Sequence, residues 1–269
     1  MKNFFILILL LFLCGCATSP TGRSQLMLVS PQQAISASKE AYIQTLRPLE
    51  KKGKIDTDPV TSSRIRYITG RLIAQAIRLY PHTANWEWSV KVIDDPDTLN
   101  AWCMAGGKMA IYTGIIQKIN ATDDEIAQVM AHEISHALAN HTAEKMSMAM
   151  ATQIGMVGLA VASKNSRHRG AILSGSALAA ALAVNLPNSR TAESEADAMG
   201  IELAALAGYN PWAAVSLWQK MADAGGKKIP QFLSTHPSPA NRRAVLAELA
   251  RQVMPYYLDK RPRPVYPLP

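Results

Sequence analysis

Apolar side chains recur every three or four residues through Ile65, Ile68, Leu72, Ile73, Ala76 and Leu79. That period predicts an amphipathic helix with this stripe turned toward a core. Asp58-Pro59 stands at its head, an N-cap acceptor followed by a residue whose missing N–H costs nothing in a first turn. Ser30-Pro31-Gln32-Gln33 forms a capping box ahead of a helix to about Arg47, and Thr122-Asp123-Asp124-Glu125 forms another. Asn210-Pro211 and Ser238-Pro239 predict two more helix starts, the first helix ending at Gly225-Gly226. Strict alternation is rarer. "WEWSVKVID" (86–94) predicts a strand, and "LNAWCMAGGKMAIYTG" (99–114) a hairpin with Gly106-Gly107 as a two-residue turn. Many helices and few strands predict an α+β fold, mainly helical, with a small antiparallel sheet.

Two nearly uncharged runs interrupt the amphipathic pattern, 146–163 and 171–187, separated by the basic "KNSRHR". Both are rich in Ala, Gly, Ser and Thr, and each is at the short limit for a span. A partly exposed, soluble helical hairpin is the expectation. At the start, "MKNFFILILLLFLCGCATSP" has one Lys, an apolar run and then small residues before Cys16, the layout of a secretory signal. Leu13-Cys14-Gly15-Cys16 resembles a bacterial lipobox, so cleavage is expected before Cys16, which takes lipid. Ala17 in the next position points to the outer membrane, periplasmic face, rather than the inner one. The expected organisation is a signal peptide (1–15), lipid anchor and linker (16–29), one folded domain (30–254) and a Pro-rich extended tail (255–269).

With 48% hydrophobic and 18% charged residues the chain is neither disordered nor collagen-like. Its formal charge of +8 falls by one when Lys2 leaves with the signal, and the excess is spread along the chain. No basic run carries interleaved aromatics, so nucleic acid is not an expected partner. Once Cys14 is removed and Cys16 lipidated, Cys103 is the only remaining thiol and no internal disulfide can form.

"AHEISHALANH" (131–141) holds three of the six histidines. Residues four apart on a helix lie only ~40° apart around its axis, so His132 and His136 project side by side. That separation suits two ligands of one tetrahedral Zn²⁺, with Glu133 beside the metal as a base. His141, on a continuing helix, would face about 180° from His132, a polar surface position. It does not fit the longer H-E-x-x-H-x-x-G-x-x-H pattern, because Ala139 replaces the glycine and residue 142 is Thr. "SRTAESEADAMG" (189–200) offers a third ligand in Glu193, with Asp197 one turn on to orient a ligating histidine. The alternative for Glu193, Glu195 and Asp197 is a wet helix face.

These blocks, in this order, resemble the zinc metallopeptidase family of the CAAX prenyl proteases and HtpX, in its small bacterial lipoprotein branch. The likeness runs from "TGRSQLMLVS" (21–30) to "STHPSPANR" (234–242) and implies a zincin-like metallopeptidase domain with one Zn²⁺ per chain. By matching position it implies that His132, His136 and Glu193 bind the metal, that Glu133 is the general base and that Asp197 supports His132. His236 would hydrogen-bond the oxyanion, with Arg242 supporting its loop at the substrate side. The strand through Asn100, Ala101 and Trp102 would bind substrate peptide by β-addition. Trp102 and Ala105 depart from the Phe and Pro expected there. The implied function is a zinc-dependent, lipid-anchored endopeptidase of the bacterial envelope, acting on polypeptides such as misfolded envelope proteins in quality control. The rival readings are a non-catalytic assembly factor or chaperone on the same fold, and a zinc-storage or structural protein. The intact Glu133 argues against the first rival, and the open position of a two-His, one-Glu set against the second.

Overall fold

A helix that is buried on every side has to be surrounded. Asp123–Leu138 is such a helix: every residue from Glu125 to Leu138 except His136 is buried. The computed structural model describes residues 16–164, 167, 186–225, 230–236 and 241–269, and its elements enclose this helix. In chain order they are β1 (Cys16–Thr18), β2 (Ser24–Leu26), α1 (Pro31–Glu50), α2 (Pro59–Leu79), a 3₁₀ turn (Pro81–Asn85), β3 (Ser89–Ile93), β4 (Ala101–Met104) and β5 (Lys108–Tyr112). There follow α3 (Thr113–Gln117), the central α4 (Asp123–Leu138), α5 (His141–Ala162), α6 (Leu186–Leu206), α7 (Ala213–Gly225), α8 (Gln231–Thr235) and α9 (Arg242–Leu258). Helices α6, α2 and α7 and strand β4 pack directly on α4.

The helix starts are where their caps put them. Ser30 and Gln33 exchange side-chain and backbone hydrogen bonds, as do Thr122 and Glu125, and the Asp58 carboxylate accepts from the N–H groups of Val60 and Thr61. Three acidic residues in the first turn of α4 also favour its start through the helix dipole. Glu125, though buried, is matched by Ser216 and Lys220, each 2.7 Å away. On α2 the stripe Ile65, Ile68, Leu72, Ile73 and Ala76 is fully buried, whereas Leu79 is 39% exposed because the helix ends there and the chain leaves at Tyr80.

The hairpin forms, but its sheet is mixed and not wholly antiparallel. The strand order is β3-β5-β4: β4 pairs antiparallel with β5, and β3 pairs parallel with β5. After β3 the chain crosses one position, leaving a slot that the returning β5 fills. The register Met104↔Lys108 makes the turn three residues, Ala105-Gly106-Gly107, and not the expected two. Both glycines have positive φ, and a Cβ on Gly107 would lie 2.4 Å from the Trp88 ring. β4 is left at the sheet edge, alongside α4.

Both chain ends differ from expectation. The stretch 16–29 is no slack linker: β1 and β2 pair antiparallel, Gln25 is buried and donates to Ala139 O, and Val29 N donates to Ser147 Oγ at 2.8 Å. Helix α9 runs through Pro255 to Leu258, past the expected domain end at 254. The tail beyond it is extended, yet Tyr266 N bonds Gly70 O at 2.9 Å and Arg263 reaches Leu206 O. Helix α5 takes up the first apolar run and leaves Ile154, Val157 and Val161 exposed. It is long and apolar enough to cross a membrane, by length and composition alone. The signal peptide (1–15), residues 171–185 of the second apolar run and the Ser238-Pro239 helix start lie outside the described residues.

Helix α6 approaches α4 at Gly200, where a Cβ would lie 2.9 Å from both the Cα and the N of His132. Gly200→Val should therefore cost about 1–3 kcal/mol by overpacking and shift the backbone under His132. Thermal unfolding should show a lower Tm together with a loss of bound zinc; an unchanged Tm would contradict this packing.

Candidate metal centre

Because α4 is one unbroken helix through His132 and His136, their Nε2 atoms meet on one side, 3.1 Å apart. Glu193, carried by α6, faces both, with oxygens 3.3 Å from His132 Nε2 and 3.4 Å from His136 Nε2. His236, just after α8, adds Nδ1 at 3.1 Å from both Glu193 oxygens and 3.3 Å from His132 Nε2. One ligand atom from each of these four residues falls within 4.8 Å of the others. Two imidazole nitrogens facing each other this closely need a proton or a cation between them. The chemistry of the donors, two or three imidazoles and one carboxylate in a buried pocket, fits zinc. Without His236 the set leaves one position open; with it, four donors close.

The histidines and carboxylates of the pocket shift one another's protonation. Burial opposes charge on His132, but Asp197 and Glu193 outweigh it and push its pKa up to about 9. On His136 burial dominates and takes the pKa down to about 3, so this ring is neutral and its lone pair available. Burial would raise Glu193 too, yet His132, His136 and His236 hold it well below the ordinary carboxylate range. Glu133 differs. Burial raises its pKa, with His236 and His132 only partly offsetting, so among these carboxylates it is the one ready to hold a proton. It stands 3.3 Å from His236 Nε2, and the backbone N–H of Cys103 on β4 donates to it.

Behind the metal-facing atoms lies a layer that sequence reasoning found only in part. Asp197 Oδ1 is 3.0 Å from His132 Nδ1, at hydrogen-bond distance though off the ideal line. Arg242 is turned inward: it is buried, donates to Asp197 Oδ1 at 2.6 Å and lies 3.6 Å over the Trp218 ring. His141 is not a surface residue. Helix α4 stops at Leu138, Asn140 takes a left-handed φ of +56°, and α5 begins with His141 folded back so that its Nδ1 is 2.7 Å from His136 Nδ1. The legible signal was Asn140, a residue that commonly closes helices in this conformation. Glu195 is likewise no wet-face residue; it is buried and bonded to His141, Arg23 and Thr21.

Of the residues expected along the substrate strand, Ala101 is buried in the core and Trp102 packs edge-on against Tyr42 of α1 at 5.7 Å. Asn100 is buried, its Oδ1 without a hydrogen-bond partner among the described residues. What this strand presents on its open edge is backbone. Phe232 N bonds Leu99 O at 3.0 Å and the Phe232 ring stacks under His236 at 4.5 Å, which ties His236 to the entrance of β4.

The profile of peptidase family M48 matches residues 59–250. Over 268 residues the chain is 28% identical to the mitochondrial metalloendopeptidase OMA1 of Bos taurus, covering 94% of this chain and 50% of that protein. The mitochondrial metalloendopeptidase OMA1 of Arabidopsis thaliana is 34% identical over 167 residues, 62% of this chain and 32% of its own. The beta-barrel assembly-enhancing protease of Yersinia pestis is 28% identical over 218 residues, 78% of this chain and 43% of its own. The chain spans half or less of the length of these relatives.

The purified protein should carry about one zinc ion per chain, and His136→Ala should lose most of it, because one of the converging donor nitrogens is removed. Elemental analysis of both proteins checks this. Full occupancy in the variant would remove His136 from the ligand set.

Proposed function

Because the chain belongs to peptidase family M48, we propose that it is a zinc-dependent endopeptidase of the bacterial envelope, anchored by lipid at Cys16 and acting on misfolded or misassembled envelope proteins. The observation that carries the catalytic part is Glu133: a buried carboxylate of raised pKa, beside the convergent nitrogens and oxygens but not among them. A protein that only binds or stores metal has no use for a base in that place.

His132, His136 and Glu193 hold the metal, with His236 within reach of the same point. A bound zinc supplies Lewis acidity, polarising a peptide carbonyl and acidifying a water. Glu133 takes the proton of the attacking water and delivers it to the leaving amine, a task its raised pKa suits. Asp197 and Arg242 keep the His132 ring oriented. His236 donates to the developing oxyanion once it turns from Glu193. The edge of β4 away from β5 receives an extended peptide as a further strand through the outward-facing backbone of Ala101, while Asn100 O is held by Tyr112 N of β5 and Trp102 pairs with Ala110, which lays the chain along α4. The envelope assignment draws on the lipobox-like Leu13-Cys14-Gly15-Cys16 and on the relatives named as beta-barrel assembly-enhancing proteases.

Glu133→Gln should fold and keep its zinc while losing at least about 100-fold in turnover of casein, the scale on which general-base catalysis contributes. Near-normal hydrolysis by that variant would refute the mechanism. Cys16→Ser should abolish metabolic labelling by palmitate and move the protein to the soluble periplasmic fraction. Retention on the membrane after a high-salt wash would instead make the exposed apolar face of α5 the anchor.

A further inference from the structure

The segment "TGRSQL" (21–26) lies far from the metal ligands in sequence, and the mechanism above gives it no role. We propose that Thr21 and Arg23, acting through Glu195 and His141, form a positioning chain that fixes His136 as a metal ligand, making the N-terminal hairpin a working part of the metal centre. The proposal rests on His136 being a ligand.

The direction of every link follows from the first. To offer the Nε2 lone pair, a neutral His136 must carry its proton on Nδ1. That Nδ1 is 2.7 Å from His141 Nδ1, so His136 donates and His141 accepts. His141 then carries its own proton on Nε2, which is 3.1 Å from Glu195 Oε2. Glu195 has to remain an acceptor facing that way, and two donors from the N-terminal hairpin hold it there: Arg23 Nε on Oε2 at 2.9 Å and Thr21 Oγ1 on Oε1 at 2.6 Å. Glu144 grips the remaining prongs of Arg23, with Nη1 at 2.7 Å and Nη2 at 2.6 Å, and also takes Gln25 Nε2. No donor along the chain faces another donor.

Helix α6 thus supports both metal-facing histidines with carboxylates, His132 directly through Asp197 and His136 through His141 and Glu195. Buried ion pairs such as Arg23–Glu195 and Arg23–Glu144 contribute little net stability. Partners on the far nitrogen of a ligating histidine, by contrast, set its tautomer and ring angle and govern metal affinity.

The test is zinc affinity of the full-length protein, measured by competition with a chromophoric chelator, together with the visible spectrum of the Co²⁺-loaded form. His141→Leu and Glu195→Ala should each weaken zinc about 10–100-fold and alter the Co²⁺ bands. Glu195→Gln, whose carboxamide oxygen still accepts, should recover most of the affinity. Asp56→Asn breaks a comparable ion cluster with Arg66 and Lys91 away from the site, and should lower Tm with zinc affinity unchanged. Should the buried variants fail to fold, Thr21→Val removes a single hydroxyl and should still weaken zinc by more than about twofold. Affinities within about twofold of the native protein in His141→Leu and Glu195→Ala, or in Thr21→Val where those do not fold, overturn the proposal. His136→Ala in the same assay separates the two readings. Full zinc binding there removes the ligand assignment itself, whereas zinc loss there with Glu195→Ala unaffected removes only the positioning chain.

Discussion

Two imidazole nitrogens held 3.1 Å apart inside a buried helix face are unfavourable unless something positive lies between them. The buried polar groups around them, Glu193, Asp197, His141, Glu195 and Arg242, are arranged about that constraint. α4 cannot relax it by rotating, because nearly all of its surface is enclosed by packed neighbours. The helix is therefore both the centre of the hydrophobic core and the rigid carrier of the metal-facing atoms, and one requirement reinforces the other.

Helix α6 is the counterpart. Its acidic residues at 193, 195 and 197 would repel one another on a bare surface, and each instead faces a histidine or an arginine. Glu193 faces the Nε2 atoms of His132 and His136, Asp197 meets His132 and Arg242, and Glu195 meets His141 and Arg23. Gly200 sets the distance at which this works, since no side chain separates α6 from the backbone of His132. The spacing between the two helices is thus part of the metal chemistry.

The same economy governs the edges of the fold. The sheet is small, but its order leaves β4 at the sheet edge beside α4. α8 links His236 to the start of that strand through Phe232. The N-terminal hairpin, Cys16–Leu26, is pinned to α5 and α6 by Arg23.

Local chemistry alone determined much of this. Caps at Ser30, Asp58 and Thr122, the stripe from Ile65 to Ala76 and the hairpin around its glycines are encoded within a few residues of where they act. So is the pairing of His132 with His136, because helical geometry is the same in any fold. Only the tertiary structure decided the rest. The mixed order of the sheet depends on which slot β5 fills, which no strand's own pattern specifies. His141 was misread because its place depends on where α4 stops, and a left-handed Asn140 turns the chain back toward His136. Arg242 meets Asp197 and the Trp218 ring only because α9 packs against α6 and α7. Arg23 and Glu195 lie 172 residues apart, and only the packing of the hairpin on α6 makes them partners. Periodicity reports what a residue does for its own helix; it cannot report a hydrogen bond that closes across the chain.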